Sequence, residues 1–330
     1  MQVISYSAFG AAADVLHLKE MPTPTPEAGE VVVRLAFSGV NPSDVKARAG
    51  ARPGVTKPAF DTIIPHSDGA GVIEAVGASI SPDRIGTRVW VWNGQWQRAF
   101  GTAATHICLP AEQAVPLPGA VSLETGAILG IPGLTACHAV FGGGDITGKT
   151  VLVQGGAGTV GLLAVQLAKW GGARVIATAR GDGINAAQKA GADAVLDYTQ
   201  ADLGAAILAA NGDTPVDRII EVEFGINAAV DAEVIAANGA IAAYGSAKDM
   251  TPVMPFGPML FKAVTIDVIL IYLLPAAERA QAVTRLHDAL QAGALTCPVD
   301  RIFTLEDCAA AHAAVEVGTR AGAVLVDVSQ

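Results

Sequence analysis

The feature that most constrains this chain is the stretch Val151–Gly161, VLVQGGAGTVG, which runs on into LLAVQLAKWGG. Val151, Leu152 and Val153 make an uninterrupted apolar run, the pattern of a parallel strand buried on both faces. Gly156, Gly158 and Gly161 follow at the G-x-G-x-x-G spacing. An apolar-periodic helix is expected from about Thr159 to Trp170, stopped by Gly171 and Gly172. Each glycine has a physical task at this spacing. The first lets the chain turn off the strand, the second lets the backbone approach a pyrophosphate, and the third lets the helix pack closely on the strand. The N–H groups and positive dipole end of that helix then face the phosphates. One such spacing among 37 glycines is weak by itself, but a further strand at Arg174–Thr178 supplies the confirming context. The stretch reads as a dinucleotide-binding turn.

At 330 residues the chain has the length of about two domains. It is 51% hydrophobic and 16% charged, a globular composition, and its net charge of −10 disfavours nucleic acid or anionic membranes as partners. MQVISYSAFG at the N-terminus lacks the basic and apolar regions of a signal peptide. The longest apolar run, Val268–Leu274, is far short of the roughly 20 residues that span a bilayer. Cys108, Cys137, Cys297 and Cys308 are scattered with no C-x-x-C pair, which fits reduced thiols and a cytoplasmic location.

Residues 1–117 read as β-rich, with segments such as Val31–Ala36, Gly71–Val76 and Arg88–Trp92 between proline and glycine breakers. From Leu117 to Phe141 the pattern turns helical. Strands then alternate with helices: Val151–Val153, Arg174–Thr178, Ala194–Tyr198, Val216–Val222, Ala240–Tyr244 and Thr265–Leu270. That order implies a parallel sheet covered on both faces, an α/β fold. Residues 118–272 are therefore a doubly wound nucleotide-binding domain, and 273–330 form a tail of two helices and two strands that does not obviously extend its sheet.

The end of the second strand distinguishes between coenzymes. An NAD site places an Asp or Glu there for the ribose 2′-hydroxyl, whereas this chain reads Val175-Ile-Ala-Thr-Ala-Arg180. A guanidinium offers several donors to a 2′-phosphate, so NADPH is expected over NADH. Asp182, two residues on, would serve an NAD ribose if its loop turned it inward.

With the first domain, this constellation resembles the zinc-free quinone oxidoreductases (zeta-crystallin type) of the medium-chain dehydrogenase/reductase superfamily. The resemblance covers nearly the whole chain. It is carried by Ser38-Gly-Val-Asn-Pro-Ser-Asp44, Asp68-Gly-Ala-Gly-Val-Ile-Glu-Ala-Val-Gly77, Leu129-Gly-Ile-Pro-Gly-Leu-Thr-Ala136 and the VQGGAGTVG turn. It implies a GroES-like β-domain plus a Rossmann domain, with the tail rejoining the former. It also implies that Ala157, Gly158, Thr159 and Val160 hold the pyrophosphate, and that Arg180 and Tyr198 flank the adenosine phosphate. Asn227, Gly245, Ser246, Ile269, Leu270 and Ile271 complete the coenzyme site, while Asn41 and Thr135 line the nicotinamide pocket. Three positions depart from the family pattern: Arg52 stands for a tyrosine, Pro65-His66-Ser67-Asp68 for Pro-Gly-Ser-Asp, and Ala323 for a lysine.

Zinc members of the superfamily have a cysteine at Asn41 and a histidine at Ser67. Amide and hydroxyl groups are poor zinc ligands beside thiolate and imidazole, so no metal is expected there, and His66 is one residue off. Cys308 and His312 sit four apart on a helix, but two ligands alone make no site. Glu221 and Glu223 lie at the end of the fourth strand, where α/β sites gather, and one is expected to cap or line the site and the other to be solvated. Without zinc to polarise an alcohol, reduction of an already electrophilic acceptor needs least help. A quinone qualifies, with Asn41 as donor, Thr135 as positioner, water as proton source and Arg52 beside the substrate. An enoyl (α,β-unsaturated carbonyl) reductase and an NADPH-binding protein without turnover are the alternatives. The apolar segment Thr265–Tyr272 reads as a sheet edge, and its pairing between two subunits would cover it; the family resemblance implies such a homodimer.

Overall fold

The computed structural model describes residues 1–51 and 54–329. The chain divides into two compact units: Met1–Ile131 together with Cys297 onward, and Pro132–Thr296. The second unit is built on six strands in the spatial order Ala194–Asp197, Arg174–Ala179, Thr150–Val153, Val216–Glu221, Ile235–Ala243 and Thr265–Val268. Every pairing is parallel. In chain order this is 3-2-1-4-5-6, the doubly wound dinucleotide-binding arrangement. Strand order reverses between Thr150–Val153 and Val216–Glu221, and the crevice outside the carboxyl ends of such strands is where α/β sheets place ligands.

Parallel strands need crossovers, and the helices Thr159–Trp170, Asp182–Lys189, Leu203–Ala210 and Phe224–Val234 supply them. The first spans the residues expected from the sequence, and it is buried almost all round, from Gly161 through Ala168. Leu152, Ile176, Ile219 and Ile241 form the centre of the core on one side of the sheet. The turn that opens the helix differs in detail from the sequence reading. Gly155, not Gly156, takes the left-handed conformation, with φ +69°, and so makes the sharp bend. A side chain at Gly156 would instead strike the Ala177 methyl, at 2.8 Å. Gly161 does what its position implies: a Cβ there would lie 2.2 Å from the Gly155 carbonyl oxygen.

The other unit holds a seven-stranded sheet organised on the eleven-residue strand Glu30–Val40. One edge of that strand pairs with Asp68–Val76. On the other edge its first half pairs with His106–Pro110 and its second half with Ala323–Asp327. Val299–Thr304 then adds in parallel to Ala323–Asp327, so the end of the tail belongs to this sheet. Between these two strands the helix Cys308–Val317 turns Cys308, Ala311, His312 and Val315 inward, one stripe at helical period. Val33, Leu35, Ile73, Val89 and Val324 lie in the core beneath.

The units divide at Ile131/Pro132 and Thr296/Cys297, against 117/118 and 272/273 read from the sequence. The change from strand to helix pattern near Leu117 precedes the change of unit, because the short helix Leu123–Gly126 packs on strands of the first sheet. Helix Ala276–Gln291 packs on Leu134–Phe141 and stays with the second unit. The edge segment Thr265–Tyr272 is strand only to Val268; Ile271–Leu273 is a 3₁₀ turn. Among the described residues, no helix is long and apolar enough to cross a membrane.

Gly161→Ala should cost roughly 1–3 kcal/mol, because backbone must move to admit the methyl. Gly158→Ala should cost under about 1 kcal/mol, since its Cβ would meet only the Gly155 oxygen at 3.5 Å. Urea titrations of both variants check this, and equal midpoints would remove the distinction.

Candidate functional site

The turn Gly155–Gly158 leaves the strand Thr150–Val153 beside the point where the strand order reverses. Ala157, Thr159 and Val160 are half-buried and Gly158 is exposed. Gly158 is the N-cap of the helix, and no side chain caps it. The first-turn amides and the positive end of a twelve-residue helix are therefore presented at an exposed glycine, a geometry suited to an anion.

A buried hydrogen-bond chain holds this turn. The Gly155 amide donates to Thr178 Oγ1 at 3.1 Å, and the Thr178 hydroxyl donates to Gln154 Oε1 at 2.8 Å. Gln154 Nε2 donates to Asp231 Oδ1 at 3.1 Å. Asp231 also hydrogen-bonds Glu221, and both carboxyls are fully buried. Two carboxylates cannot both accept, and Asp231 Oδ2 faces no other donor. One proton, held on Asp231 and given to Glu221, satisfies the pair. Burial, then the Glu221 charge, raises Asp231 well above the usual carboxylate range; burial also raises Glu221. Glu221 accepts the Glu223 amide and both contacts of Asn227 Nδ2, at 3.1 and 3.2 Å. The ends of the first, second and fourth strands are thus tied together under the turn.

Of the pair Glu221 and Glu223, the first is the buried one; the second is half-buried and accepts the Lys248 amide at 2.8 Å. Asp231, Gln154 and Thr178 were not singled out by sequence reasoning. The one signal was an Asp inside an otherwise apolar helical stripe, Ala228–Ala232. A buried acid at that place asks for a partner.

Arg180 follows directly on the strand Arg174–Ala179, and its guanidinium lies 6.0 Å from the centre of the Tyr198 ring. Both are exposed, so these two sequence-predicted residues stand together at one rim. Asp182 is exposed in the first turn of the next helix. Gly245 and Ser246 pack on the turn after the fourth strand. A Cβ on Gly245 would lie 2.4 Å from the Val222 oxygen, and Ser246 Oγ accepts the Gly225 amide at 2.8 Å. Ile269 and Ile271 are buried while Leu270 is half exposed, and the Ile269 amide continues the sheet by donating to Ala243 O at 2.8 Å. Thr135 is buried in helix Leu134–Phe141.

In the first unit, Asn41 precedes helix Pro42–Ala49. Its amide N–H is accepted by Asp44 at 2.8 Å, and its side chain turns away to donate to Asp68 Oδ2, also at 2.8 Å. Asp68 is fully buried and accepts the Ile131 amide on both oxygens at 2.9 Å. Burial, the largest cause, raises Asp68 well above the ordinary carboxylate value. Gly130 is required beside it, because a Cβ there would come within 2.1 Å of Asp68 Oδ1. A zinc ion does not fit at Asn41 and Ser67: the Asn41 amide is engaged with Asp68, and neither residue offers thiolate or imidazole. His66 is fully buried, and burial followed by the His312 ring lowers it well below the usual imidazole range. Arg52, expected beside the substrate, lies outside the described residues.

Known proteins resemble this chain in sequence and in fold. Residues 27–119 match the alcohol dehydrogenase GroES-like domain, and residues 159–288 match the zinc-binding dehydrogenase family. A quinone oxidoreductase of Rattus norvegicus is 32% identical over 248 residues, covering 74% of this chain and 73% of the relative. A mycobacterial protein solved in complex with NADPH superposes with a TM-score of 0.86 at 26% identity over 99% of both chains. An NAD-dependent alcohol dehydrogenase superposes with a TM-score of 0.87, also at 26% identity, over 99% of this chain and 100% of its own. On this likeness in sequence and fold, the chain belongs to the quinone oxidoreductase family of the medium-chain dehydrogenase/reductase superfamily.

Proposed function

We propose that this protein reduces quinones with NADPH and uses no zinc ion at its reaction centre. The observation that carries the choice of coenzyme is Arg180 at the tip of the second strand, set against the Tyr198 ring. Solved structures of similar fold carry either coenzyme in their descriptions, so the preference rests on that guanidinium. Two donors in a planar fork suit a 2′-phosphate, and the Tyr198 face stiffens the arginine.

The residues present fit the coenzyme. The uncapped helix end at Gly158, with Ala157, Thr159 and Val160, would take the pyrophosphate, and Arg180 and Tyr198 the 2′-phosphate. Asn227, Gly245, Ser246, Ile269, Leu270 and Ile271 would hold the rest of the molecule. When bound, NADPH supplies a hydride; with one proton from water, this converts a quinone to its hydroquinone. The chain's own part is positioning and hydrogen bonding. Asn41 is assigned as a donor to substrate or nicotinamide, its amide plane set by the bond to Asp68. Thr135 positions the ring, and Arg52 lies beside the substrate. The developing oxyanion is resonance-stabilised, so a small number of oriented donors suffices.

The active form is assigned as a homodimer. Thr265–Val268 is the last strand of its sheet, and the neighbouring Val268, Leu270 and Leu273 are 80%, 49% and 64% exposed. Such an edge is an association surface unless covered. The four free thiols support a reducing, cytoplasmic setting.

Following NADPH absorbance with 1,4-benzoquinone tests the reaction; binding of NADPH without oxidation by any quinone would overturn it. Arg180→Glu should raise KM for NADPH about tenfold or more, the loss of one charge-assisted contact, while changing KM for NADH less than about threefold. Equal effects on both coenzymes would remove the assignment. Light scattering at micromolar concentration should give twice the chain mass, and Val268→Lys should shift it toward the single chain; a monomeric wild type contradicts the dimer.

A further inference from the structure

Two inward residues of the tail helix, Cys308 and His312, meet His66 inside the first unit. His66 Nε2 stands 2.9 Å from His312 Nε2 and 3.9 Å from Cys308 Sγ. The three ligand atoms lie within 4.8 Å of one another, and all three residues are 0% exposed.

The hydrogen bonds around His66 fix its tautomer. Thr102 Oγ1 is 2.6 Å from the Asp68 backbone carbonyl oxygen, which can only accept, so the Thr102 hydrogen points there. Ser38 Oγ, 2.8 Å from Thr102 Oγ1, must then donate to it. With its single hydrogen spent, Ser38 accepts from His66 Nδ1, also at 2.8 Å. His66 therefore carries its hydrogen on Nδ1 and aims the Nε2 lone pair at His312 and Cys308. A ring nitrogen oriented through its partner's hydrogen bond to a second residue is the arrangement found around metal-bound histidines. One further feature sets His66 apart: it has φ +75°, a left-handed backbone that a non-glycine residue adopts only at a cost in strain.

We propose that His66, Cys308 and His312 bind one soft d10 cation, Zn2+ or Cu+, through the two imidazole Nε2 atoms and the Cys308 sulfur. Bonds of ~2.0–2.1 Å to nitrogen and ~2.3 Å to sulfur place ligand atoms about 3.3–3.7 Å apart, a spacing that the 2.9 Å between the two Nε2 atoms and the 3.9 Å from His66 Nε2 to Cys308 Sγ bracket, so shifts of these side chains admit the ion. On binding, the Cys308 thiol releases its proton to solvent, and His312 moves its hydrogen from Nε2 to Nδ1. One thiolate with two neutral rings balances Cu+ in charge. The Asp44 carboxylate, whose field reaches Cys308, supplies a second negative charge toward Zn2+, and it is opposed by the Arg48 charge, which reaches His312 and is itself paired with Glu316. The site is distinct from Asn41 and Ser67, where zinc members of the superfamily hold their catalytic ion, and the reductase reading does not depend on it.

Because the ligands are fully buried, the ion enters during folding, so the full-length protein is produced in medium supplemented with zinc in one arm and copper in another. Mass spectrometry should find about one ion per chain in at least one arm, falling below ~0.1 in Cys308→Ser. Protein produced with cobalt should show a thiolate-to-metal charge-transfer band, a wild-type readout that stands even if Cys308→Ser fails to fold. Ser38→Ala, which leaves the three ligands in place, should weaken retention roughly 10- to 100-fold against a chelator. No ion in either arm, no cobalt band, or full retention by Cys308→Ser would overturn the site. NADPH oxidation measured on the same samples reports on the reductase reading separately.

Discussion

Every strand backbone must find a hydrogen-bond partner along its buried length, and this requirement organises both units. It is most demanding at Glu30–Val40. His106–Pro110 covers only the first half of one edge, and the second half is covered by Ala323–Asp327, nearly three hundred residues away in sequence. That pairing recruits the tail, and with it the helix Cys308–Val317 over the core. The meeting of His66 with Cys308 and His312 is a direct consequence.

In the other unit the same requirement acts through parallel pairing. Crossover helices return the chain to the same end of the sheet each time, so loops and helix N-termini gather at the carboxyl ends. The close approach of Gly161 to the Gly155 carbonyl lets the first helix point its amides at one place. Beneath it, the chain from Gly155 through Thr178, Gln154 and Asp231 to Glu221 keeps the turn rigid. Its acids are buried, and one shared proton makes that burial tolerable, since an unpaired buried carboxylate is expensive. Rigidity at a helix end is what an anion-binding site needs, because flexible amides would lose entropy on ordering.

The chemistry assigned to the chain follows from what its side chains cannot do. Asn41 and Ser67 offer neither thiolate nor imidazole to a metal ion, and the bond from Asn41 Nδ2 to Asp68 orients that amide. What remains is orientation and a few hydrogen bonds, which suffices for an acceptor that is already electrophilic.

Much of this was legible in the residues alone. The helix Thr159–Trp170, the six parallel strands and the dinucleotide turn could be read because apolar periodicity and glycine spacing are local signals. Arg180 could be named from its place after the second strand and Tyr198 only through the family resemblance; the structure sets the two side by side. Local signals do not carry distance, however. Which glycine bends the turn, how far each unit extends, and that Asp231 partners Glu221 depended on contacts between remote segments. The same holds for His66, Cys308 and His312, which in sequence are a lone histidine and an i, i+4 pair. Only the pairing of a C-terminal strand with the second half of Glu30–Val40 makes them neighbours, because strand register, a tertiary property, sets where the tail helix lands.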